Sequence, residues 1–158
     1  MSAPQLGEDM LLRILIVDDE KEMVSTLTRL LEPIASQIDS ADDLMPALEL
    51  ADRNPYNVII LDLRLTTAGK DETLSAIRHF KEKNASVVVV SGIPEARLKD
   101  EALAAGADAF VPKGPDFGAR ALLMATNVAT LKLPKGSYKS DSYLQHVELL
   151  RKMVESKP

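Results

Sequence analysis

The chain has 158 residues, of which 46% are hydrophobic and 27% charged, a composition typical of one soluble globular domain with a short appendage. No apolar run approaches the ~20 residues that a membrane-spanning helix needs, and the absence of cysteine excludes disulfides, cysteine-ligated metals and thiol catalysis. The net charge of -5 argues against nucleic acid as the main partner. The first residues lack the pattern of a secretion signal, so we expect a cytoplasmic protein with no membrane partner.

The charge is unevenly distributed along the chain. Residues 1–131 contain 13 basic and 21 acidic residues, whereas residues 132–158 contain 6 basic and 3 acidic ones. We therefore expect an N-terminal extension (residues 1–11), an acidic folded domain (residues 12–131), and a basic linker with a C-terminal amphipathic helix (residues 132–158).

Five short apolar runs predict five strands, and their lack of alternation is typical of strands buried on both faces of a parallel sheet. The second run is the weakest, which favours an edge strand. The predicted strands are Arg13–Val17, Ser36–Asp39, Asn57–Leu61, Ser86–Val90 and Ala109–Val111.

Segments of helical period separate these runs. The first apolar stripe extends from Met23 to Ile34, the second follows a cap signal at Asp42-Asp43, and the third follows Asp71 as its cap. The fourth helix ends at Gly106, and a fifth covers about residues 116–131. The alternation predicts an α/β fold in which helices cover both faces of a five-stranded parallel sheet.

Polar residues follow four of the predicted strands, at the edge where function gathers in open α/β sheets. Asp18-Asp19-Glu20 follows the first strand, Asp62 the third, Ser91-Gly92 the fourth and Pro112-Lys113 the fifth. Each motif alone is common in turns or at the surface, but together they predict one cluster. Clustered carboxylates favour Mg²⁺ or Mn²⁺, and a carboxylate beside such a cation and a lysine can attack a phosphoryl group.

The order of these residues resembles the receiver domain of two-component response regulators. The resemblance implies a flavodoxin-like fold in which Asp62 is the phosphoacceptor. It also implies that Mg²⁺ is held by Asp18, Asp19, Asp62 and the backbone carbonyl of Arg64. The implied phosphate-sensing and switch residues are Ser91, Lys113 and Phe110.

By the same resemblance, a histidine kinase or a phosphotransfer protein donates the phosphoryl group, and the domain signals to a downstream protein by contact rather than as an enzyme. Thr66 and Gly114 stand where the family usually has proline, so we expect altered loops there. These departures keep an alternative open: an interaction or dimerisation module of receiver architecture that works without phosphorylation.

The last part of the chain contains candidate interface residues. Arg120 is the only charged residue between Ala119 and Leu131, so we expect the fifth helix, including Leu122, to be covered on both faces. The C-terminal helix has an apolar stripe at helical spacing: Tyr143, Val147, Leu150 and Val154. We expect this helix to dock on the acidic domain or to pair with a second copy in a homodimer.

Overall fold

A five-stranded parallel sheet lies at the centre of the chain. The computed structural model describes residues 12–63, 69–92 and 96–113. The strand order is β2-β1-β3-β4-β5, which confirms the predicted sheet and the edge position of the second strand. The strands are β1 (Leu12–Val17), β2 (Ala35–Ala41), β3 (Val58–Asp62), β4 (Ser86–Ser91) and β5 (Ala109–Pro112).

Four helices connect the strands within the described residues: α1 (Lys21–Leu31), α2 (Leu44–Arg53), α3 (Lys70–Glu82) and α4 (Ala96–Ala104). A short 3₁₀ turn at Glu32–Ile34 ends the first apolar stripe, where Pro33 cannot donate to an α-helical ladder. None of these four helices is long and apolar enough to cross a membrane. The predicted fifth helix, the N-terminal extension and the C-terminal helix lie outside the described residues.

The central strands are buried on both faces, as their unbroken apolar runs predict. In β3, Ile59 and Leu61 pack into a core beneath α2, α3 and α4. Val58 and Ile60 point to the opposite face and join a second core with α1. Successive strand residues alternate between the two faces, so a strand covered on both sides needs apolar residues at every position.

One helix start agrees with the sequence prediction and one does not. The Asp43 carboxylate accepts a hydrogen bond from the backbone N–H of Leu44 and caps α2 as expected. The prediction of Asp71 as the cap of α3 is wrong, because Gly69 occupies that position and its carbonyl accepts from Thr73. Asp71 and Glu72 lie instead in the first turn, where the helix dipole also favours acidic residues.

The ends of α3 and α4 direct the chain into the next strands in the same way. Asn84 and Gly106 both have positive φ, 63° and 116°, just beyond the last helical turn. After each, a backbone N–H reaches back to the helix, from Ala85 to Phe80 and from Ala107 to Ala102. This is the Schellman arrangement, and it confirms that Gly106 ends the fourth helix.

Candidate functional site

The register of the sheet brings the four polar strand ends together. Val17 pairs with Leu61, so Asp18, directly after β1, lies next to Asp62 at the end of β3. Ser91 is paired with Pro112, and Asp62 with Val90. Backbone hydrogen bonds extend the ladder beyond the strands, from Leu63 to Val90 and from Lys113 to Ser91. The backbone pairing of the parallel strands therefore sets the spacing of these residues, independently of contacts between their side chains.

Four carboxylates form the acidic part of the site. One oxygen from each of Asp18, Asp19, Glu20 and Asp62 lies within 4.8 Å of the others. Asp18 and Asp62 are each only 3% exposed, whereas Glu20 is largely exposed. Such close carboxylates repel one another in the low dielectric of a buried site, so the cluster needs positive charge.

Lys113 provides positive charge from the end of β5. Its Nζ lies 3.2 Å from Asp62 Oδ2, 3.5 Å from Asp18 Oδ2 and 3.6 Å from Glu20 Oε1. Burial works against the charged ammonium, but the carboxylates of Asp62 and Asp18 outweigh it and raise the pKa of Lys113. The lysine therefore remains charged at neutral pH while largely removed from water.

A local turn fixes the orientation of Asp18. Its Oδ1 accepts a hydrogen bond of 2.9 Å from the backbone N–H of Glu20, and its own N–H donates to the carbonyl of Ala41. Burial raises the pKa of Asp18, and the charge of Asp62 adds to the increase, while the bond from Glu20 opposes it. The site thus holds a carboxylate whose ionisation is costly without a cation.

The remaining predicted residues surround this cluster. Ser91 is buried at the end of β4, directly after Val90, which pairs with the phosphoacceptor candidate Asp62 on β3. Phe110 is half-buried on β5 and packs against the core shared by α2, α3 and α4. A Cβ added at Gly92 would meet Lys113 Cδ at 3.9 Å and nothing closer, so a small group has room on this side of the loop.

The structure adds one residue to the site and leaves others undescribed. Glu20 contacts Lys113, although the sequence alone had given it no separate role. The signal was its position directly after Asp18-Asp19, but the same position is also common for a helix start, and Glu20 is the N-cap residue of α1. Arg64, Leu122, Val147 and Leu150 lie outside the described residues.

A match to a family model decides the identity of the domain. The model described as "Response regulator receiver domain" matches residues 14–126, which include most of β1 and all of the other strands of the sheet. The chain belongs to the response-regulator receiver family. The receiver domain of two-component signalling predicted from Asp18, Asp19, Asp62, Ser91 and Lys113 is thereby confirmed.

Individual relatives agree with this assignment. The chain is 32% identical over 145 residues to the transcriptional regulatory protein KdpE of Mycobacterium tuberculosis, covering 89% of this chain and 62% of that protein. The chain therefore spans about three fifths of the length of this curated relative.

Solved structures of response regulators are also similar to this chain. The beryllofluoride-activated receiver domain dimer of NtrC4 is 27% identical, with a TM-score of 0.66 over 75% of this chain and 97% of that one. A Burkholderia pseudomallei response regulator, solved with a phosphorylated aspartic acid, a calcium ion and citrate, is 26% identical. Its TM-score is 0.61 over 88% of this chain and 74% of that one.

Proposed function

We propose that this receiver accepts a phosphoryl group on Asp62 beside a bound Mg²⁺ or Mn²⁺ and signals through protein contacts. The observation that carries the proposal is the environment of one buried carboxylate. Asp62 lies 3.2 Å from the ammonium of Lys113, within a cluster of four carboxylates at the carboxyl edge of the sheet. In this proposal the nucleophile comes from β3 and the phosphate-binding amine from the end of β5, while the cation site is formed by carboxylates at the ends of β1 and β3.

The oxygen donors of the site fit a hard divalent cation. Asp18, Asp19 and Asp62 would hold Mg²⁺ or Mn²⁺ through carboxylate oxygens, with water completing an octahedral shell. The high negative charge and the costly ionisation of Asp18 favour such an ion. When bound, the cation neutralises charge on the phosphoryl oxygens. The carbonyl of Arg64 remains a proposed fourth protein ligand.

The reaction follows from the chemistry of Asp62. One carboxylate oxygen attacks the phosphorus of a phosphohistidine on the donor protein, forming an O–P bond as the P–N bond breaks. The leaving imidazole keeps the electron pair of the broken bond and takes up a proton from solvent. The ammonium of Lys113, already next to the attacking carboxylate, stabilises the charge on the transferring group.

The product would be sensed by residues on the two neighbouring strands. The Ser91 hydroxyl would donate a hydrogen bond to a phosphoryl oxygen, and Lys113 would form an ion pair with another. Phe110 lies on the same strand as Pro112, three residues before Lys113, and packs against the core beneath α4. A displacement at Ser91 or Lys113 would therefore reach the packing between β5 and α4. The signalling surface in this proposal is the face formed by α4, β5 and the predicted fifth helix.

The proposed donor is a histidine kinase or a phosphotransfer protein, and the proposed receiver of the signal is a downstream protein or a second copy of the chain. Two named relatives support an aspartate as the acceptor and a second copy of the chain as a partner. The Burkholderia pseudomallei structure contains a phosphorylated aspartic acid, and the NtrC4 receiver is a dimer when beryllofluoride-activated. Like other receivers, the domain would act in the cytoplasm as a phosphoacceptor and not as an enzyme on other molecules.

The phosphorylation-independent alternative is not favoured. It rests on Thr66 and Gly114, which lie outside the described residues. The chemical groups that phosphorylation needs are nevertheless together: Asp62, Lys113 and the carboxylates that follow β1. A module that works only by dimerisation would not need a buried lysine against two buried aspartates.

Binding of a phosphoryl mimic tests the proposal. Beryllofluoride, added with Mg²⁺, should shift the backbone amide NMR signals of Asp62, Ser91 and Lys113. The shifts should vanish when Mg²⁺ is omitted and in Asp62→Asn. As a matched control, Asp42→Asn, which changes an exposed aspartate before α2, should respond like the wild type. A wild-type protein that does not respond with Mg²⁺ present would disprove the proposal.

A further inference from the structure

Glu20 is the solvent-facing member of the acidic cluster. Its side chain is 62% exposed, whereas those of Asp18 and Asp62 are almost fully buried. It is also the N-cap residue of α1, yet its side chain makes no capping hydrogen bond to that helix. The carboxylate lies instead 3.6 Å from the Nζ of Lys113. The lysine, and not helix capping, therefore accounts for the position of this side chain.

The three carboxylates around Lys113 hold it unequally. Its Nζ is within hydrogen-bonding distance of Asp62 and Asp18, at 3.2 Å and 3.5 Å, and both of these residues are buried. The contact with Glu20 is longer than a hydrogen bond and lies at the solvent side of the cluster. A buried carboxylate has little freedom to move away, but an exposed glutamate can rotate into water. Glu20 is therefore the partner that Lys113 can release most readily.

A phosphoryl group would change the balance of charge around Lys113. On Asp62 it would carry more negative charge than the carboxylate it modifies, and its oxygens would need the same ammonium that Glu20 contacts. We propose that Glu20 is a positioning residue that holds Lys113 in the unphosphorylated site and competes with the phosphoryl group for its ammonium. This inference rests on the phosphorylation of Asp62 proposed above.

The competition makes the phosphorylated state less favourable. The phosphoryl group must replace Glu20 as a partner of Lys113, and it then lies near a like charge at the rim of the site. An exposed ion pair contributes little, because water and dissolved salt screen it. Glu20 should therefore weaken phosphoryl binding only about threefold, and its effect should diminish as the ionic strength rises.

The affinity of the full chain for beryllofluoride tests this competition. Wild type, Glu20→Gln and the control Glu22→Gln are titrated by NMR at a Mg²⁺ concentration beyond which more Mg²⁺ changes nothing. Saturation is needed because the Glu20 carboxylate also attracts the cation. The control removes the same charge from an exposed residue in the first turn of α1, outside the four-carboxylate cluster. The Cε–H signals of Lys113 are recorded before beryllofluoride is added.

Glu20→Gln should bind beryllofluoride about threefold more tightly than wild type and Glu22→Gln at low ionic strength, and this gain should fall below about 1.5-fold at about 1 M salt. Before beryllofluoride is added, Glu20→Gln should shift the Lys113 Cε–H signals and Glu22→Gln should not, which a role in helix stability alone would not produce. Unshifted Lys113 signals, an equal gain in Glu22→Gln, or a gain that salt leaves unchanged would overturn the proposal.

The wild type separates this inference from the proposed function. A wild-type protein that binds no beryllofluoride with Mg²⁺ present would overturn the proposed phosphorylation, and the competition with it. Wild-type binding together with equal or weaker binding by Glu20→Gln would overturn the competition alone and leave Asp62 as the acceptor.

Discussion

At the scale of single residues, Lys113 provides the positive charge that makes the buried acidic cluster tolerable. Its ammonium contacts the carboxylates of Asp62, Asp18 and Glu20. Removing one partner of a buried charge group leaves the others uncompensated, which costs more than a surface ion pair contributes. The stability of the cation-free protein should therefore depend strongly on this one side chain.

Lys113→Met should destabilise the protein by about 2 kcal/mol in EDTA. Addition of Mg²⁺ should recover part of this loss, because the cation replaces some of the missing positive charge. Urea unfolding with and without Mg²⁺ measures both effects. Lys83→Met is the matched control, since Lys83 forms a solvent-exposed pair with Asp52. If both variants unfold like the wild type, Lys113 does not stabilise the cluster.

Asp18 makes the opposite contribution at neutral pH. Burial raises its pKa above the 3.8 of an unfolded aspartate, so between pH 3.8 and the folded pKa the folded protein retains a proton that the unfolded chain releases. This group therefore lowers stability above its folded pKa. The penalty diminishes as the pH falls through that pKa and is absent below 3.8, where both states are protonated.

Asp18→Asn should consequently stabilise the cation-free protein near neutral pH, by about 1 kcal/mol, and this gain should disappear on acidification. Denaturant unfolding in EDTA over a pH series measures it. Asp52→Asn provides the contrast, because the hydrogen bond from His79 lowers the pKa of this exposed carboxyl group. That variant should lose stability at neutral pH. A neutral or destabilising Asp18→Asn would contradict the assigned cost of burial.

At the scale of elements, the turns after α3 and α4 set where β4 and β5 begin, and so where Ser91 and Lys113 end up. Gly106 has a φ of 116°, and a Cβ at this position would lie 3.1 Å from Lys81 Cγ. Both the conformation and the close approach require glycine. Asn84 fills the equivalent position after α3, where asparagine tolerates the left-handed region.

Gly106→Ala should therefore destabilise the protein by about 1–2 kcal/mol. Gly92→Ala is the control, because Gly92 has no positive φ, lies outside the helices and has its nearest contact to an added Cβ at 3.9 Å. Thermal unfolding should show a lower Tm for the first variant and little change for the second. Equal effects would mean that the turn after α4 does not depend on the glycine conformation.

The elements also show what the sequence can and cannot predict. The valine run of β4 predicts a buried strand, because no solvent-facing residue interrupts it. The sequence predicts Asp71 as the cap of α3, but the helix begins at Lys70 and Asp71 lies in its first turn. Acidic residues are favoured at both positions. Local sequence preference cannot distinguish these two positions when the carbonyl of Gly69 is available to accept from Thr73.

At the scale of the whole molecule, the site is a property of strand order and register. The sequence predicts that Asp18, Asp62, Ser91 and Lys113 follow strands, and parallel topology then places them at one edge. The distances between these side chains and their charge states depend on how the sheet is assembled. Nothing in the sequence around Lys113 indicates that it contacts Asp18, which lies 95 positions earlier in the chain. Glu20 was missed as a contact of Lys113 for the same reason.

Cation binding should stabilise the entire domain, because the ligands come together only in the folded sheet. At a Mg²⁺ concentration about ten times its Kd, linkage predicts a gain of about 1.4 kcal/mol. Calorimetry should show a Tm that rises with Mg²⁺ in the wild type and stays flat in Asp19→Asn. Asp42→Asn should retain the increase. A wild-type Tm independent of Mg²⁺ would argue against a site formed by these carboxylates.

The central claim is that Asp62 itself receives the phosphoryl group, and locating the modified residue tests it most directly. The protein is incubated with acetyl phosphate and Mg²⁺, and the acyl phosphate is then reduced with borohydride, which converts a phosphorylated aspartate to homoserine. Peptide mass spectrometry should find homoserine at position 62 and at no other aspartate, and none without Mg²⁺. Homoserine at Asp18 or Asp19, or an unmodified chain after treatment with Mg²⁺, would contradict the assignment of Asp62.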